Sequence, residues 1–494
     1  MGYKIGAILL ILSLFYISVA PNPLIVIEGA ITATSTVMTI TDYVKGRPVV
    51  SDILPQMADD LNALSNNLFN SGVKLRESLS GIAESIPADL EAAAEINNDV
   101  RNMYDNILNI NYLFERYFYD IMDKKISTHS LGIFVNKSTS ADNNGPEQSA
   151  LNIYKIIHPE ELSLLKPSFL KKIVTQLNTN VYQRCKRHES PQQRILKIYT
   201  LVGLAEFKAF LMTSIGYALR SSMVNENHDR DIERVKNDHI VKMQNYITLV
   251  KAAVSEAMTE VANCKPAASD KFNLWSLQAV SLLPVEADFK NDMVVTGVRF
   301  NVVNRILHAQ IEEAKLGPNY TTVSGTERWV PLEEMDWMSS IGGARGGCTL
   351  KKRTSWRKYG SKPICAETGS NIQIYLSKTM EFPGSFAIVG VQFHKQEHIE
   401  DHKLALHLTL KMAGITPQGK VIPQVLPSFQ EKQKDANNEY FDLVNHHIDL
   451  QSVYADPRLP LTQVEVYHRE DQDPGNTVSL KLQTFNIAST IKTN

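Results

Sequence analysis

The apolar residues of this chain change their period along its length, and that change limits the fold more than any other feature. From Ala93 they fall at Ile96, Val100, Met103, Ile107, Ile110, Phe114, Tyr117 and Ile121, in alternating steps of three and four. That is a heptad stripe along one face of a long helix. From about Met293 the period is two: Leu404, Leu406, Leu408, Leu410 and Met412 alternate with Ala405, His407, Thr409 and Lys411, as in a strand with one buried face. No single kind of element satisfies both periods. The expected class is therefore α+β: an N-terminal bundle of long helices over residues 24–265, then a C-terminal antiparallel β-sandwich, jelly-roll-like, over 285–494.

Within the helical half, Leu61, Leu64, Leu68, Leu75, Leu79, Ile82 and Ile86 form a second, less regular stripe broken by Gly72, Gly81 and Pro87. Long helices are expected over about 54–126. Residues 136–149, with Asn143-Asn144-Gly145-Pro146, read as an exposed loop. Helical patterning resumes near Ile153, reopens at Ser168 and runs to about Cys185, and two further helices are expected over 192–223 and 229–264. The first of these is apolar from 198 to 219 apart from Glu206 and Lys208. Either it inserts into a membrane, as in a pore-former, or it is the central helix of a bundle. Each charge at mid-bilayer would cost about 2.5–3.5 kcal/mol, which favours the bundle.

The β half uses one phrase twice, 93 residues apart: Val295-Thr296-Gly297-Val298-Arg299-Phe300 and Ile388-Val389-Gly390-Val391-Gln392-Phe393. Each leads into a second strand, over 305–311 and 403–412. Two pseudo-repeats, about 285–385 and 386–494, are the simplest reading, with each glycine marking a bulge or a close backbone approach. Ile372, Ile374 and Leu376 alternate in the same way. Val464 and Val466, then Asp473-Pro474-Gly475-Asn476, then Val478, Leu480 and Leu482 spell a hairpin with its turn.

The N-terminus points to an export route. A short, weakly basic stretch over 1–4 precedes an apolar run over 5–17, and Ser18-Val19-Ala20 has the small-x-small form of a cleavage site. A signal peptide over 1–20 is expected, with Pro21 in a position that hinders cleavage at that point. The run falls short of the about 20 apolar residues a span requires, and no later run suggests a transmembrane segment in the mature chain. Asn136-Lys137-Ser138 and Asn319-Tyr320-Thr321 are glycosylation acceptor triplets. Cys185, Cys264, Cys348 and Cys365 permit three pairings. We expect Cys185–Cys264 and Cys348–Cys365, each within one region of the chain, with a buried free thiol as the alternative. With 51 basic and 53 acidic residues, the overall charge does not suggest a nucleic-acid partner.

Val294 to Phe300 with Asn304 following, together with Glu206-Phe207-Lys208-Ala209-Phe210-Leu211-Met212, resemble an uncharacterised family of secreted arthropod proteins. There a helical N-terminal region precedes a β-rich region with repeated Thr-Gly-Val-Arg-Phe phrases. The second phrase departs from that pattern at Val389 and Gln392. The resemblance covers most of the mature chain and implies secretion into a body fluid or from a gland, as in venom or saliva. It supplies no catalytic residues.

Three constellations could carry chemistry. Arg345, Lys351, Lys352, Arg353, Arg357, Lys358 and Lys362, with Trp356 and Tyr359 interleaved, occupy a stretch with no acidic residue from 344 to 365. Closed by Cys348–Cys365, this would be a compact basic loop suited to sulfated glycans or anionic lipid headgroups, and the alternative is a solvated loop. His394-Lys395-Gln396-Glu397-His398 has the inverted zinc-peptidase spelling, with His402 as a third imidazole. It requires a helix, but the motif sits between two strands, so the plainer reading is a connecting loop. The glycine-rich run over 342–347 lacks the ending of a phosphate loop, and Asp471 and Asp473 lack the terminal glutamate of a calcium loop. The expectation is a non-enzymatic binding protein with no cofactor. Its partner would be an extracellular protein, a glycan or a lipid surface, and the heptad stripes leave room for self-association. A pore-forming toxin-like protein is the alternative, and a zinc hydrolase using His394, Glu397 and His398 is a remote one.

Overall fold

The computed structural model describes residues 91–122, 126–142, 144–158, 168–179, 188–224, 226–264, 266–273, 276–338, 347–351, 363–368, 372–375, 385–397, 404–427, 440–442, 447–469 and 477–490. The expected leader over 1–20 and the stripe from Leu61 to Ile86 lie outside them. Six described helices and strands in several sheets make a mixed α+β chain. Its described residues form two compact units, one of 91–179 and 191–257, the other of 188–190 and 258–490.

In the first unit, α1 (Glu91–Met122) buries Ile96, Val100, Met103, Ile107, Ile110, Phe114 and Tyr117, all 6% exposed or less. The heptad stripe is therefore the inward face of this helix. α2 (Thr128–Ser138) starts under a Ser127 cap, whose hydroxyl accepts from the Ser130 N–H at 3.1 Å. α3 (Pro146–Ile157) starts with proline in its first turn, where the missing N–H costs nothing. The loop expected over 136–149 is consequently shorter, because its first three residues finish α2 and its last four open α3. α4 (Phe169–Thr179), α5 (Pro191–Val224) and α6 (Asp229–Glu256) follow. α5 is buried on nearly all sides. No described helix is long and apolar enough to cross a membrane.

The helix expected to reach residue 264 ends at Glu256. Glu260–Ala262 instead pairs antiparallel with a strand near the C-terminus, and Val261 is 2% exposed in the β core. A long-range ladder has overridden the local helical pattern.

Three long hairpins organise the second unit. They are β1 (Met293–Val303) with β2 (Ile306–Lys315), β3 (Phe386–Glu397) with β4 (Leu404–Ile415), and β5 (Leu461–Arg469) with β6 (Thr477–Thr484). Asn304 and Arg305, with φ of 52° and 61°, join the first pair, the backbone that a two-residue turn between twisted strands requires. The expected third hairpin pairs Val464 with Leu482 and Val466 with Leu480. Each hairpin forms a different sheet, and in each the second strand also takes a short parallel partner: Ala279–Ser281 on β2, Ile372–Tyr375 on β4 and His447–Asp449 on β6. A wholly antiparallel arrangement was expected. The parallel pairings arise because the chain between short strand and hairpin is long enough for a crossover, a long-range feature with no local signature.

Both repeated phrases carry a bulge. The register slips between Val295 and Gly297 and again between Ile388 and Gly390, leaving Thr296 and Val389 as the extra residues. At each glycine a two-residue strand docks closely: Val453–Tyr454 at Gly297 and Val285–Glu286 at Gly390. A Cβ would lie 3.1 Å from the Val453 carbonyl oxygen in the first case and 3.0 Å from that of Val285 in the second, so the glycines allow the backbones to approach. β5 slips at the same place, between Leu461 and Gln463. Its spelling, Leu-Thr-Gln-Val-Glu-Val, keeps the apolar positions of the phrase without the glycine. Apolar side chains of all three hairpins meet in one cluster. There Phe300 and Phe393, the last residues of the two phrases, stack with centroids 6.5 Å apart. Each such burial contributes about 1.5–3 kcal/mol.

Candidate functional site

The basic stretch singled out in the sequence is anchored at both ends. Met335–Met338 pairs antiparallel with Gly347–Leu350, and Cys365–Glu367 pairs with Ala279–Ser281 at the edge of the first sheet. The Cys348–Cys365 disulfide joins these pieces across a Cα separation of 6.1 Å. Met335 and Leu350 pack on Ala279, Leu283 and Ile306, with Trp337, Cys348 and Cys365 against them. Asn304 adds a tether, its Nδ2 donating to the Met335 carbonyl at 3.0 Å and to Asp336 at 2.9 Å. Lys351 is exposed and lies 3.5 Å from the Asp336 carboxylate, a pair of small energetic weight at the surface. Arg345, Lys352, Arg353, Trp356, Arg357, Lys358, Tyr359 and Lys362 lie outside the described residues.

The other expected positions are placed as follows. Cys264 is disulfide-bonded, while Cys185 lies outside the described residues. Asn136 is exposed in the last turn of α2, and Asn319 is exposed on a short turn with φ of 54°. His394 is exposed on β3, which continues as strand through Glu397. The zinc spelling needs a helix, and the backbone from His394 to Glu397 is strand instead. His398 and His402, like Asp471 and Asp473, lie outside the described residues. Among the described residues no group of three or more histidine, cysteine, aspartate or glutamate side chains could hold a metal ion.

The most polar interior of the β unit was not foreseen. β2 is buried on both faces, yet it carries His308, Gln310, Glu312 and Glu313, each 6% exposed or less. Glu312 accepts from Arg458 Nε at 2.6 Å and Nη2 at 3.1 Å, and from the Thr296 hydroxyl at 3.1 Å. Arg458 lies 3.7 Å over the Tyr454 ring, on which His188 also stacks at 4.4 Å. Burial, more than neighbouring charge, holds the His188 imidazole below its ordinary range. Burial also pushes His308 down to about 4.

Glu313 faces the other way, into an open pocket of about 500 Å³ lined by residues 286–290, Glu313 and 328–331. Its Oε1 accepts from Arg328 Nε at 2.7 Å and its Oε2 from the Asp288 N–H at 2.7 Å. Gln310 positions the Trp329 wall: its Nε2 donates to the Val330 carbonyl at 2.8 Å, while its Oε1 accepts from Arg299, whose guanidinium lies 4.2 Å over the Trp329 ring. The one sequence signal for this site was the adjacent Glu312-Glu313 pair inside an apolar strand.

The helical unit also buries charge. On α5, Glu206 Oε1 lies 3.2 Å from Lys242 Nζ and 3.7 Å from His239 Nδ1. Burial works to raise the Glu206 carboxyl, but Lys242 and His239 together outweigh it and hold the group below its ordinary range. Lys208 donates to Asn111 Oδ1 at 2.7 Å and lies 5.2 Å from the Phe114 ring centroid, and burial lowers its ammonium to about 8.

Residues 182–276 match the family described as a domain of unknown function, DUF4803. The match takes in α5, α6 and the first two short strands of the β unit. It contains the Glu206 to Met212 stretch but neither glycine phrase. No curated protein matches the chain.

Proposed function

We propose that this is a secreted, glycosylated, non-enzymatic binding protein that contacts an anionic extracellular surface, a sulfated glycan or an anionic membrane, through the basic stretch between Cys348 and Cys365. The observation that carries this reading is the Cys348–Cys365 disulfide. It closes a segment with six basic residues and no acidic one and roots it in the apolar cluster of Met335 and Leu350. Confining like charges in a short loop keeps them together for a polyanion despite their mutual repulsion. Disulfide-bonded Cys264 and the leader-like N-terminus support an oxidising, exported setting. Exposed Asn136 and Asn319 are accessible as glycosylation sites. We read the scaffold as a helical bundle preceding a β-sandwich, a reading supported by the cluster shared among the three hairpins.

The test is binding of the purified protein to heparin and to anionic liposomes across a salt series, beside a variant with Lys351, Lys352, Arg353, Arg357 and Lys358 changed to Ala. The expected result is salt-dependent binding by the native protein and loss of binding by the variant. Equal binding by both, or none by either, overturns the proposal.

A further inference from the structure

The pocket beside Glu313 presents cationic donors to its open side. Each of its three acids has a partner of its own. Glu313 holds Arg328 Nε and the Asp288 N–H; Glu286 lies 3.0 Å from Lys411 Nζ; Asp288 Oδ2 accepts from Asn291 Nδ2 at 2.6 Å. Its two cations are not spent in the same way. Among the described residues Arg328 is gripped through Nε alone, with its side chain 61% exposed, so the paired Nη nitrogens that suit a bidentate oxyanion face outward to donate. Lys290 is exposed and makes no ion pair among the described residues. Glu313 thus acts from behind, at 4% side-chain exposure, fixing the guanidinium without consuming its outward face.

The walls are apolar and flat. Trp329, Phe289 and Pro331 line the space. Arg299 lies 4.2 Å over the Trp329 ring and Lys411 5.1 Å over the Phe289 ring, which steadies both rings. A volume of about 500 Å³ is in the range of small-molecule sites.

We propose that this pocket binds a small organic anion in which a carboxylate, sulfate or phosphate group is carried on a flat apolar body. The oxyanion meets Arg328 Nη1 and Nη2 and Lys290 Nζ, while the body lies against Trp329 and Phe289. This site uses no residue of the basic loop, so its success or failure is independent of the loop proposal.

The experiment is calorimetric titration of the full chain with naphthalene-2-sulfonate, with the neutral 2-naphthalenemethanol for comparison. The native protein is expected to bind the sulfonate. Arg328→Gln with Lys290→Gln should weaken that binding by about tenfold or more, as removal of charge-assisted hydrogen bonds does. Because Arg328→Gln also disturbs Glu313, Lys290→Gln alone provides a second reading and should weaken binding several-fold in a protein whose near-UV circular dichroism is unchanged. Lys236→Gln, on α6, should leave it unaltered. The proposal is overturned if the native protein does not bind the sulfonate, if the double variant binds it as tightly, or if the alcohol binds equally well.

Discussion

The two units bury charge in different ways, and the difference shows what a sheet provides that a helix does not. On β2, Glu312 accepts three hydrogen bonds and Glu313 two, from Thr296 on β1, Arg328 on the short strand beside β2, and the backbone of Asp288 and side chain of Arg458 on segments flanking the sheet. Among the described residues, Glu206 on α5 reaches Lys242 through one oxygen while its Oε2 has no hydrogen-bond partner, and Lys208 has a single hydrogen bond, to Asn111. Sheet register brings neighbouring strands to about 4.8 Å on each side of a residue, so donors converge on it. Helix partners come only from ridges that happen to face the charge. The expectation is that the β2 charges are structural pairs whose loss is costly, whereas Lys208 on α5, held mainly by burial and one hydrogen bond, burdens the fold.

The largest test of that comparison is Arg458→Ala, which leaves Glu312 buried and short of two donors. It should cost about 3–5 kcal/mol, read as lost hydrogen-exchange protection across β1 and β2. Changing both residues together, Arg458→Met with Glu312→Leu, should recover most of that. A double variant no better than the single one would break the comparison.

Acid provides the next test, through His308. Burial pushes its pKa from the ordinary 6.5 down to about 4 in the folded protein, so between those values the unfolded chain binds the proton and the folded one does not. Stability therefore declines as pH falls through that window, by a total of about 3 kcal/mol near pH 4. His308→Gln should flatten this part of the urea-unfolding pH profile for the β unit. An unchanged profile would show that the acid sensitivity lies elsewhere.

The smallest effect is expected to have the opposite sign. Lys208 is lowered from 10.5 to about 8, so at pH 7 it is charged in both states and its burial is a net cost. Lys208→Met should stabilise the helical unit by about 1–3 kcal/mol. The native protein should itself gain stability as pH rises from about 8 towards 10.5, which exchange rates along α5 would report. Destabilisation by Lys208→Met would place α5 in the same class as β2.

Much of the fold could be read without coordinates, and particular residues show why. The heptad stripe from Ile96 to Tyr117 is buried because a period of 3.5 lets a helix turn only one face inward. Leu406, Leu408, Leu410 and Met412 are buried by the same logic at period two. The glycines of the two phrases mark close docking of a short strand, where a Cβ would crowd the neighbouring carbonyl, and each sits beside a bulge. The third hairpin was visible as a hairpin, but its kinship to the other two was not, because Gln463 stands at the position of the glycine and the correspondence survives only in the register slip. Of the candidate residues, the Cys348–Cys365 closure was foreseen, whereas the pocket was not. Its acids and aromatics come from three separate segments, 286–290, Glu313 and 328–331, each unremarkable in its own stretch.

By itself the sequence determined the class of each half, the inward faces of α1 and β4, the bulge positions in the two phrases and one disulfide. These follow from periodicity, steric allowance at glycine and the scarcity of cysteine, which are properties a short window of residues carries alone. Only the tertiary structure decided that Glu260–Ala262 is a strand, that β2 is buried on both faces, that a parallel strand joins each of the three hairpin sheets, and that Arg328 is held through its Nε. Each depends on which distant segment lies alongside, because the energy of a ladder, a buried ion pair or a pocket belongs to the contact and not to either residue in it.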